Sequence, residues 1–167
     1  GDPVGNMIID IGGGTCDIAV IALKGVVRSK NVRIAGDRFN TDIISYIRSE
    51  FKILIGERTA EDVKIAVGSA LKQEVPLQTT IRGRDLVTGL PREIVVTDAD
   101  VREAIQASVT SIIEAVKEVI ESAPPEVVAD VMQGGVQLTG GGALLRGLPK
   151  LLAQELKVPV LLVDAPL

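Results

Sequence analysis

Histidine and tryptophan are absent from the 167 residues, cysteine occurs once, and two Phe and one Tyr hold the aromatic share to 2%. Without histidine, the common transition-metal ligand sets and imidazole-based catalytic arrangements lose their central member. A lone Cys16 cannot close an internal disulfide, which fits a reducing, cytoplasmic setting. No apolar run approaches the ~18 residues of a membrane-spanning helix, and no basic stretch precedes an apolar one at the start. We therefore expect neither a transmembrane segment nor a signal peptide. Positive charge is also in deficit: 18 Lys and Arg stand against 22 Asp and Glu, a net charge of −4. With no basic cluster interleaved with aromatics, nucleic acid is excluded as the expected partner. The initiator methionine is missing as well, and Gly1-Asp2-Pro3-Val4-Gly5 runs straight into an apolar segment, as an excised piece would.

What is present is aliphatic. Hydrophobic residues make up 46% of the chain, so the core must be built from Val, Ile, Leu and Ala, the composition of an α/β protein. A chain of this length buries roughly 70% of its unfolded surface, enough for a real core. Apolar alternation predicts three antiparallel strands at about 6–11, 16–23 and 26–34, turning at 12–15 and at Lys24-Gly25. After Gly36 the period changes: Phe39, Ile43, Ile47 and Phe51 recur at helical spacing. Thr59-Ala60-Glu61-Asp62 reads as a capping box that opens a helix through about Leu71, and 76–82 with 91–97 read as a hairpin. Thr97 to Asp100 caps the longest periodic segment, 98–122, which Pro124-Pro125 ends. A short helix through Val131, a strand at 136–139, a helix from Ala143 to Leu156 and a strand at 158–163 complete a βαβ pattern.

Two glycine-rich turns concentrate the chemistry: Asp10-Ile11-Gly12-Gly13-Gly14-Thr15 and Leu138-Thr139-Gly140-Gly141-Gly142-Ala143, each following an apolar run. Such glycines let backbone N–H groups approach phosphate or a purine without an intervening Cβ. Asp10 has two readings, a carboxylate for a metal ion shared with phosphate, or a strand-ending Asp bonded to its own turn. The first turn is neither a Walker loop, since no Gly-Lys-Ser/Thr follows, nor Gly-x-Gly-x-x-Gly, since Asp17 takes the last position. The second turn serves either a ligand at a helix N-terminus or close packing of small residues. Glu61 and Lys64, one helical turn apart, are either a site pair or an exposed ion pair. Gly36-Asp37 is either a site contact or a helix cap, and Cys16 is expected to be a buried structural thiol.

Asp10 to Thr15, set between two strands of a hairpin, resembles the second phosphate loop of the superfamily uniting actin, the heat-shock chaperone ATPases and the sugar kinases. The segment 136–145 resembles that superfamily's adenosine motif. Taken in order, 5–15 with 18–21, 32–37, 55–61 and 138–147 resemble the MreB family of bacterial actin homologues, over the second half of such a protein only. Cys16-Asp17 departs from the family, whose members more often carry Thr-Glu there.

The resemblance implies an α/β, ribonuclease-H-like mixed sheet with flanking helices over residues 1–36 and 98–167 (subdomain IIA), and a small inserted α+β lobe over 37–97 (subdomain IIB). It implies ATP or ADP as ligand, with Asp10 helping to hold Mg²⁺ and Gly12, Gly13, Gly14 and Thr15 on the phosphates. Thr15 is further expected to orient the attacking water. The segment Glu61, Asp62, Val63, Lys64 is expected at the ribose or base, and Gly140, Gly141, Gly142, Ala143 and Leu144 over the adenosine. Implied partners are further copies of itself in filaments and membrane-anchored cell-shape proteins, with membrane contact through the other half and a cytoplasmic, membrane-associated location. The whole protein is expected to be an ATPase, and this portion nearly inert alone. The alternatives are half of a chaperone-type or sugar-kinase-like ATPase, or a stand-alone docking module.

Overall fold

A computed structural model of the chain describes residues 5–23 and 25–163. Lys24 of the expected turn, and the ends at 1–4 and 164–167, lie outside the described residues. The first two strands follow the alternation read from the sequence. In β1 (Asn6–Ile11) Met7, Ile9 and Ile11 are buried, and in β2 (Cys16–Ala22) Cys16, Ile18 and Val20 are. β3 (Gly25–Val32) pairs antiparallel with β2 as the outer strand and is largely exposed. Two later strands, β7 (Val136–Thr139) and β8 (Val160–Leu162), add in parallel to β1, giving a mixed sheet in the order β3-β2-β1-β7-β8. The parallel register sets Asp10 beside Thr139, so the chain leaves β1 and β7 at the same edge.

Between these strands the helical periods form α1 (Gly36–Phe51), α3 (Asp98–Ser122), α4 (Pro125–Gly134) and α5 (Leu148–Leu156). α3 packs on β2 and β3 and against α1 and α5, and its apolar stripe, including Val101, Ile105, Ile112 and Val116, is core. Its start carries the expected capping box: Thr97 Oγ1 accepts from the Asp100 N–H, and the Asp100 carboxylate accepts from the Thr97 N–H. A second sheet, β4-β5-β6, is built from β4 (Ile53–Leu54), β5 (Gln78–Asp85) and β6 (Pro91–Thr97). The hairpin was expected; β4 was not, because two residues carry no readable alternation.

Two helix starts differ from expectation. α2 (Glu57–Val67) opens at Gly56 with no side-chain cap, so Thr59 lies inside its first turn and forms no capping box. The buried stripe Ala60, Val63 and Val67 decides the register, and the helix stops at Gly68 rather than Leu71. The segment after β7 does not pass directly into an α-helix at Ala143. A 3₁₀ turn covers Gly141–Leu144, and α5 begins only at Leu148. Gly147, at φ +75°, interrupts the helical path, and Pro149 suits the first turn of the new helix.

Candidate functional site

The first glycine turn is a closed hairpin loop. Gly12 N–H donates to Thr15 O at 2.9 Å, and the loop is seated on the start of α1 by Gly36 N–H to Gly12 O (3.0 Å) and Asp37 N–H to Gly13 O (2.8 Å). Among the described residues, the N–H groups of Gly13, Gly14 and Thr15 find no protein acceptor. They form a cluster of unused donors of the kind that binds anions.

The second glycine turn lies directly against the first. Gly140 has φ +92° and ψ 162°, and a Cβ there would come 2.3 Å from Ile11 O and 2.5 Å from an Asp10 carboxylate oxygen. Only glycine lets the two loops approach this closely. The same contact places the Asp10 carboxylate between the loops. Next to it, Thr139 Oγ1 is buried without a protein partner among the described residues. Among the described residues no three His, Cys, Asp or Glu side chains gather as a metal-ligand set. Asp10 is thus a single carboxylate set between the two loops, an oxygen ligand of the kind that suits Mg²⁺.

A third wall comes from α2. Lys64 Nζ lies 2.7 Å from Glu61 Oε2 and donates to Gly36 O at 3.3 Å. Asn40 Nδ2 of α1 donates to the same Glu61 oxygen at 2.6 Å. The bonds from Lys64 first, and from Asn40 next, hold the Glu61 carboxyl below the usual carboxylate range. Glu61 is therefore ionised at neutral pH, and Lys64 is its counter-ion.

These walls enclose one cavity of about 570 Å³, within the size range of small-molecule sites. Gly12, Gly13, Glu61, Lys64, Gly141, Gly142 and Leu144 line it, as do Gly36 and Asp37. Other expected residues lie elsewhere. Val63 is fully buried in the core, as is Ala143, and Asp62 faces a separate groove with Thr59 and Arg82. Gly140 and Asp10 stand behind the lining, at the contact between the loops. Gly14 and Thr15 continue the hairpin loop outside the lining, and the Thr15 hydroxyl donates to Asp17 at 3.4 Å. Cys16 is buried, and burial, then the charges of Asp17 and Asp10, push its thiol up to about 12.

Three lining residues were not foreseen, Ile65, Gly68 and Arg146, while Leu145 is the last residue of the expected adenosine segment. Ile65 and Leu144 are apolar yet 63% and 71% exposed, a pair of open aliphatic surfaces at the cavity. Arg146 donates to Gly68 O at 3.2 Å, tying the end of α2 to the second glycine segment. In the sequence Ile65 is one more apolar residue of a helix, and only its exposure marks it out.

A family model described as MreB/Mbl protein matches residues 1–167. The cell shape-determining protein Mbl of Bacillus subtilis is 53% identical over 99% of this chain and 50% of its own length. The cell shape-determining protein MreB of Escherichia coli K12 is 45% identical over 99% of this chain and 48% of its own. Among solved structures, MreB5 of Spiroplasma citri bound to ADP superposes with a TM-score of 0.93 at 40% identity, over 97% of this chain and 49% of that one. A MamK double helical filament gives 0.77 at 27% identity, over 96% and 50%. The chain spans about half the length of the relatives it matches.

Proposed function

The chain belongs to the MreB/Mbl family, and from that premise we propose that it supplies one wall of an ATP/ADP site in an actin-like, filament-forming protein that sets rod cell shape. The observation that carries this reading is the convergence of four separate segments, the two glycine turns, the start of α1 and α2, on one cavity. The ADP-bound MreB5 structure shares the same fold at a TM-score of 0.93, which supports a nucleotide as the occupant. The chaperone and sugar-kinase alternatives give way to the family match.

In this reading the free N–H groups of Gly13, Gly14 and Thr15 cradle the terminal phosphates, and Lys64 adds positive charge on the cavity wall. Glu61 accepts from a ribose hydroxyl, and Ile65 with Leu144 covers the base. Asp10 is the residue that would hold Mg²⁺, which when bound neutralises charge on the phosphate oxygens. Thr15 orients the attacking water once its hydroxyl leaves Asp17. We further propose the division into a lobe of 1–36 with 98–167 and an inserted lobe of 37–97. The remaining parts of the reading are self-association into filaments, membrane-anchored cell-shape proteins as partners, and a location at the membrane reached through the other half.

Calorimetric titration of ADP with Mg²⁺ into the intact protein tests the nucleotide site. Lys64→Ala should weaken binding about tenfold, as expected for loss of a charge-assisted contact. Undiminished affinity in that variant, or no heat of binding in the unaltered protein, overturns the reading.

A further inference from the structure

Asn40 is the polar anomaly of the buried face of α1. Its neighbours on that face, Phe39, Ile43 and Ile47, are core residues, and Asn40 itself is 3% exposed. Its Oδ1 has no protein partner among the described residues. Leaving a buried acceptor unsatisfied is costly, and packing alone gives no reason to accept it. The other end of the amide is engaged, since Nδ2 donates one of its two hydrogens to Glu61 Oε2 at 2.6 Å. The opposite amide orientation would set Oδ1 against a carboxylate, two acceptors with no hydrogen between them.

The bond matters because of which oxygen it takes. Glu61 Oε2 receives both Asn40 Nδ2 and Lys64 Nζ, while Oε1 has no protein donor among the described residues. Lys64 is itself tied to Gly36 O, behind the first glycine loop. The carboxylate is therefore held from two helices with one oxygen committed and one available. Free of Asn40, a Glu side chain that is 43% exposed would sample other rotamers about its contact with Lys64.

We propose that Asn40 is the positioning residue of the Glu61–Lys64 pair: by occupying Glu61 Oε2 it presents Oε1 to the cavity as the acceptor for the hydroxyls of a nucleotide's sugar. This deepens the nucleotide reading above and rests on it. Asn40 touches no ligand itself and acts through Glu61 alone. Its signature is thus selectivity for the sugar hydroxyls rather than affinity in general.

The test compares ADP with 2′,3′-dideoxy-ADP, both with Mg²⁺, on the intact protein. The unaltered protein should bind ADP about tenfold or more tightly than the dideoxy analogue, the value of hydrogen bonds to a charged acceptor. Asn40→Leu, which keeps the branching of the side chain and removes the donor, should bind the two about equally. Asn40→Asp keeps the shape, sets a second carboxylate against Glu61, and should lose the selectivity in the same way even if the leucine variant folds poorly. A variant that keeps the full preference for ADP, or that weakens both ligands by one common factor, overturns the proposal. So does an unaltered protein that binds both ligands equally, which leaves the nucleotide reading standing. An unaltered protein that binds neither removes the nucleotide reading and this inference together.

Discussion

Gly140 and Glu61 act at the residue scale in opposite ways, one by lacking a side chain and the other by the charge it carries. At Gly140 the backbone sits in a region open essentially to glycine, and a methyl group would intrude on Ile11 O and Asp10. Gly140→Ala should cost about 3 kcal/mol from strain plus overpacking, read as a lower midpoint in urea unfolding, and should part the two loops enough to abolish ADP binding. Glu61 has its carboxyl pKa lowered in the fold by Lys64 first and Asn40 next. A lowered folded-state pKa contributes stability that is present above the ordinary carboxylate range and is lost as pH falls through the folded value. The difference in thermal midpoint between the unaltered protein and Glu61→Gln should therefore be constant from pH 7 to about 5 and shrink below it. A difference that grows on acidification would contradict the assignment. In the sequence the glycines of the two turns were visible, but the contact between Gly140 and Asp10 was not, because it joins residues far apart along the chain.

At the scale of elements, helix ends separate what local sequence specifies from what packing decides. α3 begins where its capping box predicts, since Thr97 and Asp100 satisfy each other's backbone N–H within one turn. Thr97→Ala should accordingly destabilise the protein by about 1 kcal/mol in urea unfolding, with ADP affinity unchanged because the cap lies away from the cavity. An equal loss in Asp100→Ala would show the box acting as a unit. α2 has the same kind of signal at Thr59 but begins earlier, at Glu57, its rotational register being the one that buries Ala60, Val63 and Val67. That register brings Glu61 and Lys64 to the cavity and turns Asp62 away. The second glycine segment makes the same point: the expected helix at Ala143 gives way to a 3₁₀ turn, so the cavity is met by a tight turn and exposed Leu144 rather than by a helix N-terminus. β4 was illegible because a two-residue strand exists only through its partner β5.

For the whole molecule, the governing fact is that the chain spans about half the length of its relatives. The cavity has walls from the loop after β1, the start of α1, α2 and the turn after β7. In the nucleotide reading, a second set of contacts from the rest of the protein would add to these. The chain alone should then bind ADP at least about tenfold more weakly than the intact protein in parallel calorimetric titrations, since each tenfold corresponds to about 1.4 kcal/mol of lost contacts. Equal affinities would mean that this portion holds the complete site.

Composition and motif by themselves determined the aliphatic α/β core, the strand–glycine loop–strand unit, the long capped helix and the family resemblance. Each rests on signals confined to a few consecutive residues or to one periodicity. Only the tertiary structure decided that the carboxylate of Asp10 nests against Gly140, that Asn40 shares Glu61 Oε2 with Lys64, and that Ile65 and Arg146 border the cavity. Those contacts depend on how β1 and β7 align and on how α1 and α2 pack. Alignment and packing are set by burial summed over the whole chain, which no single stretch of sequence records.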